Sequence, residues 1–363
     1  MRRLSDIICA VFAICAMAIA VSCEKRPLME ISNTHYVRVY VDETILNVTT
    51  GFYNDTYNKP NYKSPSVLRV TLTDPATGDV KAERYLRNQG HDADGHYYDG
   101  YIIADPGEYQ LIAYNFDTES TIIGSGNNHF LINAYTNEIA SHLYTKIPSR
   151  SKAPSKDDGK GGPVESIVYD PDHLFVADCG NVHVPYVNHI DTLKTPEGKP
   201  HFEATSIVKS YFLQIRIKGA QYVSSAVSLL EGMAGSTRLS DRTPSQDNPV
   251  TIYFEMQSDK DKARTNNDDE AIIYTTFGMF GRTEGLTNLL EVTFDFMTTY
   301  GQPYSATFDI TQDFSKPEAV DHQWLLLDHV IEIPPPPPGS SSGGGGFKPS
   351  VDDWGEVNTD III

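Results

Sequence analysis

Apolar and polar residues alternate along most of this chain with a period of two. In YVRVYVD (36–42), Val37, Val39 and Val41 share one face, while Arg38 and Asp42 share the other. In VLRVTLTD (67–74), Leu68, Val70 and Leu72 alternate with Arg69, Thr71 and Thr73. FLQIRIKG (212–219) sets Leu213, Ile215 and Ile217 against Gln214, Arg216 and Lys218. NLLEVTFDFMTT (288–299) sets Leu290, Val292, Phe294 and Phe296 against Glu291, Thr293 and Asp295. One apolar face per strand predicts antiparallel sheets with one side wet. Turn chemistry separates the strands: DPATGD (74–79) joins two, DPGEY (105–109) introduces the next, and YGQPY (300–304) closes a hairpin. The one helical candidate is VSSAVSLLEGMAG (223–235), ended by Gly232 or Gly235. The pattern predicts an all-β chain.

At 363 residues the chain exceeds what one core usually serves. Two tandem antiparallel β-sandwich domains are expected, at 35–196 and 197–333, with the boundary in LKTPEGKPH (193–201). The polar stretch 147–166, rich in Pro, Ser, Lys and Gly, reads as a mobile loop inside the first domain. Residues 334–363 form a flexible C-terminal tail: PPPPP (334–338) as a stiff polyproline spacer, then GSSSGGGG (339–346) without stiffness. The tail ends on Phe347, Trp354, Val357, Ile361, Ile362 and Ile363, too apolar for a solvating segment. Two readings stand: the segment folds back on its own molecule, or it adds a strand to a neighbour's exposed edge.

The N-terminus carries an address. Met1-Arg2-Arg3 is a short basic region, and Ile7 to Val21 is an uncharged apolar run too short for a comfortable membrane span. It ends in IAVSC (19–23), which resembles a bacterial lipobox; the alternative is an ordinary signal peptide cut near Ala20. The lipobox resemblance implies that residues 1–22 are a signal peptide, that Cys23 is acylated and held in outer-membrane lipid, and that 23–34 is a tether. Of the four cysteines (Cys9, Cys15, Cys23 and Cys179), only Cys179 then remains, so no intramolecular disulfide forms. The net charge of −19 becomes one unit more negative when the signal leaves. That balance argues against nucleic acid as a partner, since phosphate binding needs concentrated basic surface.

Candidate chemistry is sparse. HDADGHYYDG (91–100) gathers His91, Asp92, Asp94, His96 and Asp99 in one short loop. A calcium loop wants glycine at its sixth position and a terminal glutamate; Gly95 comes too early and no glutamate follows, so no metal site is assigned. DDGKGGP (157–163) lacks the spacing and the Ser/Thr of a phosphate loop. No G-x-S-x-G, HExxH or paired-cysteine motif occurs, and no cofactor or catalytic residue is assigned. DTL (191–193) resembles a short bacterial O-glycosylation signal with Thr192 as acceptor. The chain is read as non-enzymatic.

DPGEYQLIAYNFDTESTIIGSGNNHFLINAYT (105–136), PDHLFVAD (171–178), VSLLEGMAGSTRLSD (227–241) and GGGGFKPSVDDWGEVNTDI (343–361) together resemble a Bacteroidales lipoprotein family catalogued as a domain of unknown function. Its wider kin are fimbrillin-like and fimbrillin-associated anchor proteins. The resemblance implies transthyretin-like sandwiches, assembly by strand exchange, and an anchor, accessory or tip role in adhesion or pilus assembly, with fimbrial subunits or surface ligands as partners. From the residues themselves, Asn115, Asp117 and Thr118 suit a side-chain-to-backbone corner closing a sheet end. The alternative function is carbohydrate binding within a polysaccharide-uptake system. It draws on 21 tyrosines, although Trp324 and Trp354 are the only tryptophans.

Overall fold

The period-two segments fold as strands, and the chain is all-β apart from a few short helical turns. A computed structural model describes residues 33–43, 64–150, 165–259, 270–283 and 290–338. The first half supplies β1 (Thr34–Val41), β2 (Leu68–Thr73), β3 (Val80–Leu86), β4 (Asn88–Asp92), β5 (Gly95–Ile103) and β6 (Gly107–Asn115). It continues with β7 (Thr121–Gly124), β8 (Asn133–Thr136), β9 (Ser166–Tyr169), β10 (Phe175–Val184), β11 (Asp191–Thr192) and β12 (Phe202–Ser206). The second half supplies β13 (Lys209–Lys218), β14 (Val223–Ala234), β15 (Ser236–Arg238), β16 (Pro249–Glu255) and β17 (Gln257–Asp259). After these come β18 (Glu270–Met279), β19 (Glu291–Thr298), β20 (Pro303–Asp309), the one-turn helix α1 (Pro317–His322) and β21 (Trp324–Glu332).

The first core lies inside a sheet of order β3-β2-β6-β10-β12-β1-β5-β4, with β11 beside β1. Its two ends, β3 and β4, are separated in the chain by Arg87 alone, so the path folds back on itself. Val37, Val39, Leu68, Val70, Leu72, Phe175 and Phe202 fill the space between its faces. In the second half, sheet β17-β18-β13-β21 faces sheet β20-β19-β14-β16-β9. Ile215, Ile217 and Ile273 from one meet Ile252, Phe294 and Phe296 from the other. Phe254 and Phe277 stack across the gap at 4.6 Å.

The halves exchange strands. β8, from the first half, pairs with β15 of the second in a small sheet of order β15-β8-β7. β9 adds in parallel to β16, at the edge of a second-half sheet. A shared apolar seam runs between them, with Ile112, Tyr114, Leu174 and Val176 against Val208, Leu239 and Phe280.

Three expectations are corrected. The helix expected at 223–235 is strand β14. This strand is central and buried on both sides: Ala226 and Leu230 face the second core, while Val227 and Leu229 lie under Ile139, Leu143, Ile147 and Ile167. Two-sided burial fills both faces with small and apolar residues, which erases the alternation that marks a strand. Gly232, expected to stop a helix, has φ 79° at a register shift between Leu230 and Met233, where a bulge needs it. The boundary after residue 196 falls too early, because Phe202 and Ala204 of β12 are fully buried in the first core. Finally, the ends of the 147–166 loop belong to the second core. The Ser149 hydroxyl donates to Asp295 Oδ2 at 2.5 Å, Arg150 pairs with Glu231, and β9 follows.

Candidate functional site

The segment 115–121 turns a corner, and its side chains build it. Asn115 Nδ2 donates to the His173 carbonyl at 3.2 Å, and Asn115 Oδ1 accepts the Phe175 N–H at 2.7 Å. Asp117 accepts the Ser66 N–H, and Thr118 Oγ1 donates to the Thr121 carbonyl at 2.5 Å. Asp172 Oδ2 takes the N–H groups of Glu119, Ser120 and Thr121 at 2.8, 2.6 and 3.0 Å. The corner is therefore architectural, and PDH (171–173) is the clasp that holds it.

The same clasp reaches the second half. Asp170 Oδ2 accepts the Gly278 N–H of β18 at 3.2 Å. A side chain at Gly278 would sit 2.3 Å from the Pro171 carbonyl, so only glycine permits this approach. Burial pushes the Asp170 carboxyl up to about 7, opposed by its bond from Gly278 and reinforced by neighbouring Asp172. Burial lowers His173 to about 4, against the pull of Asp172. His173 Nε2 meets Ser210 Oγ at 3.3 Å.

Beside the corner lies a cleft of about 840 Å³. Arg69 is fixed at its floor, donating to Glu83 Oε2 at 2.6 and 3.0 Å, to the Tyr114 hydroxyl at 2.7 Å and to the Gly126 carbonyl at 2.9 Å. Tyr85 and Phe116 meet edge to face at 5.4 Å, and Ile122, Ile123 and Leu131 line the cleft with them. Leu131 is 64% exposed. Tyr85, Phe116 and Leu131 in the cleft, with Phe130 and Tyr135 flanking it, make up half of the exposed large apolar side chains among the described residues. β7 is an outer strand of its three-stranded sheet and supplies part of the lining. An exposed apolar cluster of this kind marks a contact surface.

The 91–99 segment is the β4–β5 hairpin, and Asp92 and Asp99 lie back along the outer face of the sheet while Asp94 is exposed at the tip. Asp92 accepts from the Tyr40 hydroxyl at 2.8 Å and Arg38 Nη1 at 3.2 Å. Asp99 accepts from the Tyr36 hydroxyl at 2.6 Å and Asn88 Nδ2 at 2.5 Å. Asp94 donates its N–H back to Asp92, and His96 faces His91 across the hairpin. His96 Nδ1 lies 2.7 Å from Glu43 Oε1. Among the described residues no three His, Cys, Asp or Glu side chains are grouped to hold a metal.

Cys179 is half-buried, and burial pushes its thiol up to about 12, far from a reactive thiolate. Thr192 lies half-buried in β11, opposite Tyr36, and donates its N–H to Asp191 Oδ1 at 2.8 Å. Cys23, Phe347, Trp354, Val357, Ile361, Ile362 and Ile363 lie outside the described residues. Sequence reasoning missed Asp170, Asp172 and the Arg69 floor. Asp172 was legible only as part of a resembling block, because its partners are backbone groups some fifty residues away.

A family model described as "Domain of unknown function (DUF5119)" matches residues 63–255, the span that carries the corner, the clasp and the cleft. The chain is 26% identical over 205 residues to "Putative fimbrium anchoring subunit Fim4B" of Bacteroides ovatus, covering 54% of this chain and 49% of the relative. It thus spans about half the length of the curated relative it matches. A solved structure of a "putative adhesin" from Bacteroides ovatus superposes with a TM-score of 0.52 at 17% identity, covering 87% of this chain and 98% of that one, and shares the fold. The fimbrial anchor protein Mfa2 from Porphyromonas gingivalis aligns more loosely, with a TM-score of 0.40 and 12% identity over 78% of this chain and 84% of that one.

Proposed function

This chain belongs to the DUF5119 family, and from that premise we propose that it is a non-enzymatic, fimbria-associated anchor or accessory subunit. Its likeness to Fim4B supports the class of role. The cleft carries the reading to a surface: its exposed apolar rim is built from the family's own span and stands beside an outer strand, where another subunit can dock. We read the architecture as two tandem transthyretin-like sandwich domains, modified by the exchange of β8 and β9. Attachment to the outer membrane is through acylated Cys23, and the apolar tail beyond residue 339 pairs with a strand edge, its own or a neighbour's.

The test is capture from surface-labelled cells. Wild-type protein is expected to bring down fimbrial subunits, and a Phe116→Asp, Leu131→Asp double variant is expected to lose them while melting as wild type. Equal capture by both proteins would sink the docking surface. Attachment is checked separately: Cys23→Ala should leave the membrane fraction, and deletion of 339–363 should either lower the melting temperature or abolish assembly.

A further inference from the structure

The outer face of β1, β4 and β5 carries a second feature, independent of the cleft. Strand register sets its side chains in three rows. Tyr101 of β5 stands opposite Tyr36 of β1, which stands opposite Thr192 of β11. In the next row Asn88 of β4 faces Asp99, which faces Arg38. In the third, Gly90 faces Tyr97, which faces Tyr40. The two tyrosine rows are four residues apart along the strands, roughly 13 Å.

Every group in this array is held. Tyr36 and Tyr101 meet edge to face at 5.7 Å, as do Tyr40 and Tyr97, and His201 closes on Tyr40 at 5.0 Å. The Arg38 guanidinium lies 4.0 Å over the Tyr97 ring and donates to the Tyr36 hydroxyl at 2.9 Å. Asp92 and Asp99 both pair with Arg38. A side chain at Gly90 would collide with the Tyr97 hydroxyl, so glycine here keeps that ring flat over the strand. The array is open at one end, with Tyr101 50% exposed and Tyr36, Arg38 and Asp92 part-exposed, whereas Tyr40 at the other end is buried.

The composition narrows the occupant. The three rows contain no aliphatic side chain, and Ile103, exposed one row beyond Tyr101, adds a single one, fewer than the rim of the cleft offers a protein partner. Two carboxylates around one guanidinium disfavour phosphate and nucleic acid. A rigid aromatic surface interleaved with fixed acceptors and donors fits a polyhydroxylated ligand: ring C–H faces lie on tyrosine, hydroxyls donate to Asp92 and Asp99, and Arg38 donates in return. We propose that this face is a saccharide-binding platform for an uncharged linear polysaccharide, seated on the open row of Tyr36 and Tyr101 beside Arg38 and Asp92.

The experiment is native affinity electrophoresis of the full chain in gels containing dextran, xylan, galactomannan or mannan. The wild type is expected to be retarded by at least one, and Tyr36→Ala with Tyr101→Ala to raise the apparent dissociation constant at least tenfold with an unchanged melting curve. Tyr101→Phe, which keeps the ring, should bind as wild type. The cleft variant Leu131→Asp should also bind as wild type, which separates this site from the docking surface. Retardation by none of the four polymers would overturn the proposal. So would retardation that survives the double alanine variant, or loss of fimbrial-subunit capture rather than of saccharide in that variant.

Discussion

The two halves of this chain solve the same problem, covering both faces and edges of a β-sheet, in opposite ways. The first half closes its path onto itself through β3 and β4 and keeps a polar, tyrosine-bearing face outward. The second half opposes two open sheets and buries both faces of its central strand β14. Its outer cover is residues 139–150 and 165–169, lent by the first half. One half therefore has a surface free to carry chemistry, while the other spends its surface on stability. The loan also ties them: the second core takes Val168 and its outer cover from the first half, and the seam between them draws on both.

The largest test of that tie is Phe294→Ala, at a fully buried position in the second core. The loss should be about 3–5 kcal/mol. If the exchange of β8 and β9 couples the halves, urea unfolding followed by tyrosine fluorescence and by circular dichroism shifts as one transition. A first-half transition left in place would break the comparison.

A smaller effect isolates the loan itself. Asp295 is buried and accepts from Ser149 and Ser305, so Asp295→Ala strands those donors at a cost of about 1–3 kcal/mol. Limited proteolysis should then cut first near residues 147–150; cleavage that begins elsewhere would count against this cover.

The seam also carries a pH signature. Asp170 titrates higher folded, at about 7, than its ordinary 3.8, so its contribution is full below that value and is lost as pH rises through about 7. His173 titrates lower folded, at about 4, than its ordinary 6.5, so its contribution is full above 6.5 and is lost as pH falls through about 4. Between these limits the two slopes oppose. Asp170→Asn should expose a melting temperature that rises with pH from about 4 to 6.5, and His173→Gln one that falls over the same range. Identical pH profiles for both variants would remove the seam from the titration.

The smallest effect belongs to the open face. Tyr101→Ala should change stability by no more than about 0.5 kcal/mol, as at other exposed sites. A drop of several kcal/mol would mean that the tyrosine rows are packing rather than platform.

Strands with one wet face were legible because burial and sequence share the period of two: Val37, Val39 and Val41 point inward as their spacing implies. β14 was illegible for the opposite reason, since a segment 60–90 residues earlier covers its second face and local spacing records no such event. The tyrosine rows were half legible. Alternation in 36–42 puts Tyr36, Arg38 and Tyr40 on one side, but strand register alone brings Asp99 and Tyr101 beside them. The corner at Asn115 read correctly from local chemistry, whereas its clasp at Asp172 needed the fold.

The crossing of β8 and β9 also sets a timetable. Both strands leave the ribosome about eighty to one hundred residues before the strands they join, β16 and β15. Until those arrive, β9 has only residues 137–139 beside it, its other side lacks a strand, and the seam around Tyr114 and Val176 is bare. Contacts this distant along a chain form slowly and leave sticky intermediates. The nascent protein thus passes through a stage in which its first half is translated but unfinished, and a holding chaperone is most useful during that interval.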